Sequence, residues 1–167
     1  MKTSKLILLC LMGLATILTT SAQERKESRS ERKARTERAV KEAIDSRTYK
    51  INVNRMQPMR GGSRTLTTDY SLKISNDSVY SYLPYFGVAY NIPYGGGKGL
   101  VFSEPLTGYT TEKLKKGRTR IEFKTRSEGY EYRYSLTVYP NGSTSIHVQP
   151  SNRQAISYTG EVDIKEE

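Results

Sequence analysis

Catalysis needs a nucleophile, a base or a metal ligand, and this chain is poor in all three. Its one histidine, His147, stands between Ile146 and Val148 in the stretch SIHVQ. Alternate residues of a strand face opposite ways, so the imidazole points away from its apolar neighbours and into water. No second histidine is present to share a metal or relay a proton. The sole cysteine, Cys10, lies in an N-terminal apolar stretch. Asp45, Asp69, Asp77, Asp163 and isolated glutamates are scattered, without the dense alternating acids of a calcium loop. Paired carboxylates for glycoside hydrolysis form only in space, and nothing points to them. The residues therefore predict a non-enzymatic protein with no catalytic site, no metal and no cofactor.

Binding chemistry is better represented. Tyr82 to Phe102 reads YLPYFGVAYNIPYGGGKGLVF, with four tyrosines, two phenylalanines and a glycine run ending at Lys98. A Walker phosphate loop is excluded, because it requires Gly-Lys-Ser/Thr opening a helix. Here Lys98 precedes Gly99-Leu100-Val101-Phe102, a strand start. Two uses of the glycines remain: an anion-holding nest of amides with Lys98 adding charge, or a tight corner needing positive φ. The aromatics Tyr82, Tyr85, Phe86, Tyr90 and Tyr94 likewise admit two uses. They plug a barrel mouth, or they line a cleft with stacking area and hydroxyl tips. Arg60 and Arg64, in a second glycine-containing loop, share the rim with Lys98 if one barrel end holds both. The candidate ligand site is thus Tyr82, Tyr85, Phe86, Tyr90, Tyr94, Lys98, Arg60 and Arg64.

The elements that must position these residues follow from the pattern along the chain. Lys2 and Lys5 precede an apolar run from Leu6 to Leu18, and Thr20-Ser21-Ala22 supplies small residues. The run is well short of the ~20 residues that span a membrane, so a signal peptide over 1–22, cleaved after Ala22, is expected. Leu9 before Cys10 is the wrong neighbour for a lipoprotein signal. The expected mature chain is exported, periplasmic or secreted, with no transmembrane segment and no cysteine. The full-chain net charge of +10 includes Lys2 and Lys5, which leaves +8. In an exported protein that balance points to anionic envelope surfaces rather than nucleic acid, with plain solubility as the alternative.

Residues 23–46 are charged and free of glycine and proline, and Ala39, Val40, Ala43 and Ile44 form a short apolar stripe. The spacing predicts a helix docked by its last turns. From Thr48 the period changes to two. Tyr130, Tyr132, Tyr134, Leu136 and Val138 alternate with polar residues, as do Tyr49, Ile51 and Val53, then Tyr70, Leu72 and Ile74, and Ile121 and Phe123. Asn76-Asp77 and Pro140-Asn141-Gly142 read as hairpin turns. About eight strands joined by hairpins, over 47–164 with a tail at 165–167, predict an all-β up-and-down barrel that closes its own edges.

The motifs DYSL, LPYFG, PYGGG and NRQ.IS..G, within residues 43–162, resemble the secreted Bacteroidales family catalogued as domain of unknown function 4251. The resemblance implies a calycin-like, lipocalin-like β-barrel and an exported compartment. It implies no activity, so no catalytic residue is carried over. A three-residue motif, Asp77-Ser78-Val79, resembles the triplet at which some bacteria of this group attach O-glycans, making Ser78 a candidate site. The expected function is a barrel binding an unidentified small or polymeric envelope ligand or protein. The competing expectation is an interaction protein docked to an acidic envelope component through its basic helix.

Overall fold

The structure, a computed structural model, describes residues 28–90 and 99–164. The expected signal peptide, Cys10, Tyr94, Lys98 and the residues Gly95 to Gly97 lie outside them. Helix α1 spans Arg29–Asp45. Its start is set by a capping box: the Glu31 amide donates to Ser28 Oγ at 3.2 Å, and the Ser28 amide donates to Glu31 Oε2 at 2.8 Å. Val40 and Ile44 are buried and Ala43 packs beside them, which is the stripe read from the sequence.

Eight antiparallel strands follow among the described residues: β1 Thr48–Pro58, β2 Arg64–Ser75, β3 Ser78–Leu83, β4 Leu100–Lys113, β5 Thr119–Ser127, β6 Tyr130–Val138, β7 Ser143–Pro150 and β8 Ile156–Val162. Each pairs with the next, and β1 pairs with β8 from Ile51↔Val162 to Pro58↔Ile156, closing the barrel. The up-and-down barrel with one preceding helix is therefore as expected. The Asn76-Asp77 and Pro140-Asn141-Gly142 turns sit where they were read. Asn76 takes φ 54°, a left-handed conformation that asparagine tolerates.

An eight-stranded barrel leaves an interior just wide enough for side chains to fill. Tyr134, Tyr158 and Phe123 are its largest fully buried members, with Ile51, Leu72 and Leu136 around them. Phe123 and Tyr134 stack at 4.8 Å between centroids, and Tyr109 stacks on Phe123 from the other side at 6.3 Å. Tyr109 reaches inward because β4 carries a bulge between Thr107 and Thr110.

The barrel has two ends. At one lie the β2–β3, β4–β5 and β6–β7 turns, and α1 covers it. A shallow groove between Glu37, Val40 and Ile44 of the helix and Val138, Tyr139 and Pro140 marks that contact. At the other end lie the β1–β2 loop, the β3–β4 connection and the β7–β8 connection. This is the end that carries the aromatic segment.

Strand β1 bulges at Asn54, where the register shifts against both neighbours. The bulge lays the Asn52–Val53 backbone across Gly160 of β8, so that any Cβ there would strike the Asn52 carbonyl. Gly160→Ala should therefore cost at least ~1–3 kcal/mol in urea unfolding, as overpacking does. Gly62→Ala, whose Cβ meets nothing within 4 Å, should stay within about 0.5 kcal/mol. Equal effects at the two positions would contradict this reading of the bulge.

Candidate functional site

The aromatic segment divides into three parts with different surroundings. Tyr82 is not in the connection at all. It belongs to β3 and faces outward, 46% exposed, between the buried Ser81 and Leu83. Phe102, at the far end of the segment, lies on β4 and packs against Tyr132 with centroids 4.9 Å apart. Between them, residues 84–90 cross the barrel end as a cap, and Gly99 leads into β4.

The cap is held by the β7–β8 connection. The Tyr90 amide donates to the Asn152 carbonyl at 2.8 Å, and the Gln154 amide donates to the Val88 carbonyl at 3.0 Å. Ala89 and Arg153 form an isolated antiparallel bridge. Tyr85 turns inward, and its hydroxyl lies 3.0 Å from the Gln154 carbonyl and 3.1 Å from that of Val88. From below, the Tyr158 hydroxyl donates to the Pro84 carbonyl at 2.6 Å. Deeper still, Tyr134 Oη donates to Ser81 Oγ at 3.3 Å, and Ser81 donates to the Leu100 carbonyl at 2.7 Å. Gly99 takes φ +77°, and a Cβ there would meet the Leu83 carbonyl, so the closing of cap onto wall requires glycine.

Under this cap is the least expected residue of the molecule. Arg153 is 5% exposed. Its guanidinium lies 4.9 Å from the centroid of the Tyr85 ring. Nε donates to Asn152 Oδ1 and Nη1 to the Gly99 carbonyl, both at 3.3 Å. Among the described residues no carboxylate stands within salt-bridge distance of it. An unbalanced buried charge costs several kcal/mol, roughly, unless it is well hydrogen-bonded. Beside it Asn152, 3% exposed, has an Nδ2 with no acceptor among the described residues. An orphan donor of that kind costs about 1–3 kcal/mol. In the sequence neither residue stands out, because an arginine in a polar turn reads as a solvated charge. The only available signal was their place in the NRQ.IS..G motif.

The remaining candidates sit on the outside. Phe86 is 50% exposed and carries the Arg64 guanidinium 3.8 Å from its ring centroid. Tyr90, 66% exposed, projects from the cap. Arg60 lies exposed in the β1–β2 loop at the same end. The barrel end thus brings Arg64 and Phe86 together, places Arg60, Tyr85 and Tyr90 nearby, and leaves Tyr82 on the wall. Ser78 is the half-buried first residue of β3, at the opposite end, paired with Ser75 and Pro105. His147 faces outward as read, with Nδ1 3.1 Å from Ser157 Oγ.

The wall beyond Tyr82 has no signature in the sequence. Tyr80 and Tyr82 lie two residues apart on the outer face of β3, and Val101 is paired across from Tyr82. The Lys73 ammonium lies 5.5 Å from the Tyr80 ring centroid, and Tyr70 lies 5.2 Å from Tyr82. Phe86 with Arg64 follows four residues after Tyr82, so exposed rings succeed one another along the chain as a track from the wall to the capped end. Three aromatic stations stand on it, two of them topped by a cation.

A closed, eight-stranded antiparallel barrel with one covering helix and a tyrosine-sealed end defines the class of protein. The chain belongs to the family described as "Domain of unknown function (DUF4251)", whose model matches residues 31–162. It is also similar to the crystal structure of a DUF4251 family protein from Bacteroides eggerthii. That likeness has a TM-score of 0.63 at 16% identity and covers 77% of this chain and 87% of the other. Identity that low speaks for the fold alone. No curated protein matches the chain.

Burial raises the Tyr85, Tyr132, Tyr134 and Tyr158 phenols above their ordinary value of 10, Arg153 opposing it at Tyr85, Tyr132 and Tyr158 and the Ser81 bond at Tyr134. A raised acid binds its proton more tightly folded than unfolded, so the stability it adds is complete below pH ~10 and is lost as pH rises beyond. Denaturant unfolding should be flat in this respect up to about pH 9 and weaken above about 10. Tyr158→Phe should cost ~1–3 kcal/mol at neutral pH, by leaving Pro84 unpaired, and should make the alkaline fall shallower. An unchanged alkaline slope in the variant would contradict the role given to Tyr158.

Proposed function

We propose that this protein is a non-enzymatic, exported binding module that holds an extended acidic polysaccharide along the outer track from Tyr80 through Tyr82 to Phe86. The observation that carries the reading is the track itself: exposed rings in a row, with Lys73 and Arg64 stacked on the first and last. Tyrosine offers a flat apolar face to a sugar ring and a hydroxyl to its edge. The cations offer charge to carboxylates placed along the polymer. Tyr80 and Tyr82, about 7 Å apart along the strand, with Phe86 further on, suit a chain better than a compact ligand.

The packed interior supports a site on the outside, since Tyr134, Tyr158 and Phe123 already occupy the lumen and Tyr85 closes it. Tyrosines rather than long aliphatic side chains dominate the exposed set, which favours a polysaccharide over a lipid surface. Export rests on the apolar run after Lys2 and Lys5, and the +8 that remains of the full-chain +10 without those two lysines favours an anionic partner. The alternative, docking of basic α1 on an acidic envelope component, competes less well, because Glu31, Glu37, Glu42 and Asp45 offset much of that helix's positive charge.

Affinity electrophoresis in gels containing polygalacturonate or neutral dextran tests the proposal. Polygalacturonate should retard the protein, less so at high salt, and dextran should not. Tyr82→Ser and Arg64→Gln, both at exposed positions, should each weaken retardation severalfold while leaving thermal stability unchanged. Retardation that ignores both substitutions would overturn the site. Binding to anionic vesicles with none to polygalacturonate would overturn the ligand class.

A further inference from the structure

We propose that Arg153 and Asn152 form a binding site for one small carboxylate beneath the cap, separate from the outer track. Three observations converge on it. Arg153 carries a full positive charge, is 5% exposed, and has no carboxylate at salt-bridge distance among the described residues. The stretch from Asn91 to Lys98, which leads into Gly99, contains no aspartate or glutamate to supply one. The neighbouring phenols do not supply a negative charge either, because Tyr85, Tyr132 and Tyr158 are all held in their neutral form.

The donors left over match a carboxylate. Nε of Arg153 is engaged with Asn152 Oδ1, and one Nη1 proton with the Gly99 carbonyl. Among the described residues the second Nη1 proton and both Nη2 protons have no acceptor, and one Nη1 proton with one Nη2 proton makes the edge of a guanidinium that takes two carboxylate oxygens. Asn152 Nδ2, buried and without an acceptor among the described residues, adds a further donor one residue away. One monoanion would balance the single charge of Arg153. A phosphate dianion would leave an excess negative charge among tyrosine rings and is the poorer match. Tyr85 and Tyr132 supply aromatic walls, so the carboxylate carries a small apolar body rather than a polar one.

The cap controls entry. Two backbone hydrogen bonds, from Tyr90 to Asn152 and from Gln154 to Val88, together with the Tyr85 hydroxyl, hold residues 84–90 over the site. These few contacts must break for a ligand to pass, whereas the strand ladders need not. The bound anion would in turn tie the cap to the barrel through Arg153, so ligand and closed cap stabilise one another.

Calorimetric titration and thermal unfolding with benzoate, acetate, phosphate and chloride, at one ionic strength and neutral pH, test the site. Benzoate should bind saturably at one equivalent and raise the unfolding midpoint; acetate should do so more weakly, and chloride not at all. Asn152→Leu removes the orphan amide without adding a charge, and should weaken benzoate binding about tenfold or more. Arg153→Gln should abolish binding; should that variant fail to fold, Asn152→Leu alone decides. No saturable carboxylate binding to the wild-type protein would overturn the proposal. So would benzoate binding unaffected by Asn152→Leu, or saturation by phosphate in place of benzoate.

Discussion

Closing a sheet into a barrel pairs every strand edge but leaves two open ends, and the rest of this structure depends on how those ends are sealed. β1 pairs with β8, so no backbone ladder is left to a partner at that seam. The apolar interior would still meet water at both rims. At one end Val40 and Ile44 of α1 supply the cover. At the other, residues 84–90, which follow β3, are drawn across the opening and pinned to the β7–β8 connection.

That second seal is built from polar groups as much as apolar ones. Crossing backbone must find hydrogen-bond partners, and it does so through Tyr158 to Pro84, Tyr85 to Gln154 and Val88, and the amides of Tyr90 and Gln154. Arg153 lies beneath the cap with its guanidinium near the Tyr85 ring. The seal confines the lumen to protein side chains and turns Phe86, Val88 and Tyr90 outward. Recognition, on this account, belongs to the outside of the barrel and to the underside of its cap rather than to a central cavity.

Much of this was legible in the sequence where one physical rule acts alone. Period-two alternation marked β6 and the inner faces of β1 and β5, and the Val40–Ile44 stripe marked the docking face of α1. Where two rules compete the reading stops short. Tyr82 sits among loop-forming residues, yet strand pairing with Ser71 and Val101 claims it for the wall. Gly160 looks like a gap in an apolar alternation, and only the bulge at Asn54 explains it. Arg153 reads as solvated because burial of a charge is unfavourable in general. The tertiary arrangement of Tyr85, Asn152 and Gly99 that overrides the rule has no local signature. The convergence of LPYFG with NRQ at one barrel end, from positions far apart in the chain, is visible only in the fold.

The most direct test of a filled and sealed barrel is titration with a neutral apolar ligand that fits a lipocalin-type lumen and carries no charge for Arg153. Retinol serves, with binding followed by its fluorescence. The wild-type protein should show no saturable uptake, because Tyr134, Tyr158 and Phe123 occupy that space. Saturable one-to-one binding would contradict it and return the site to the barrel interior.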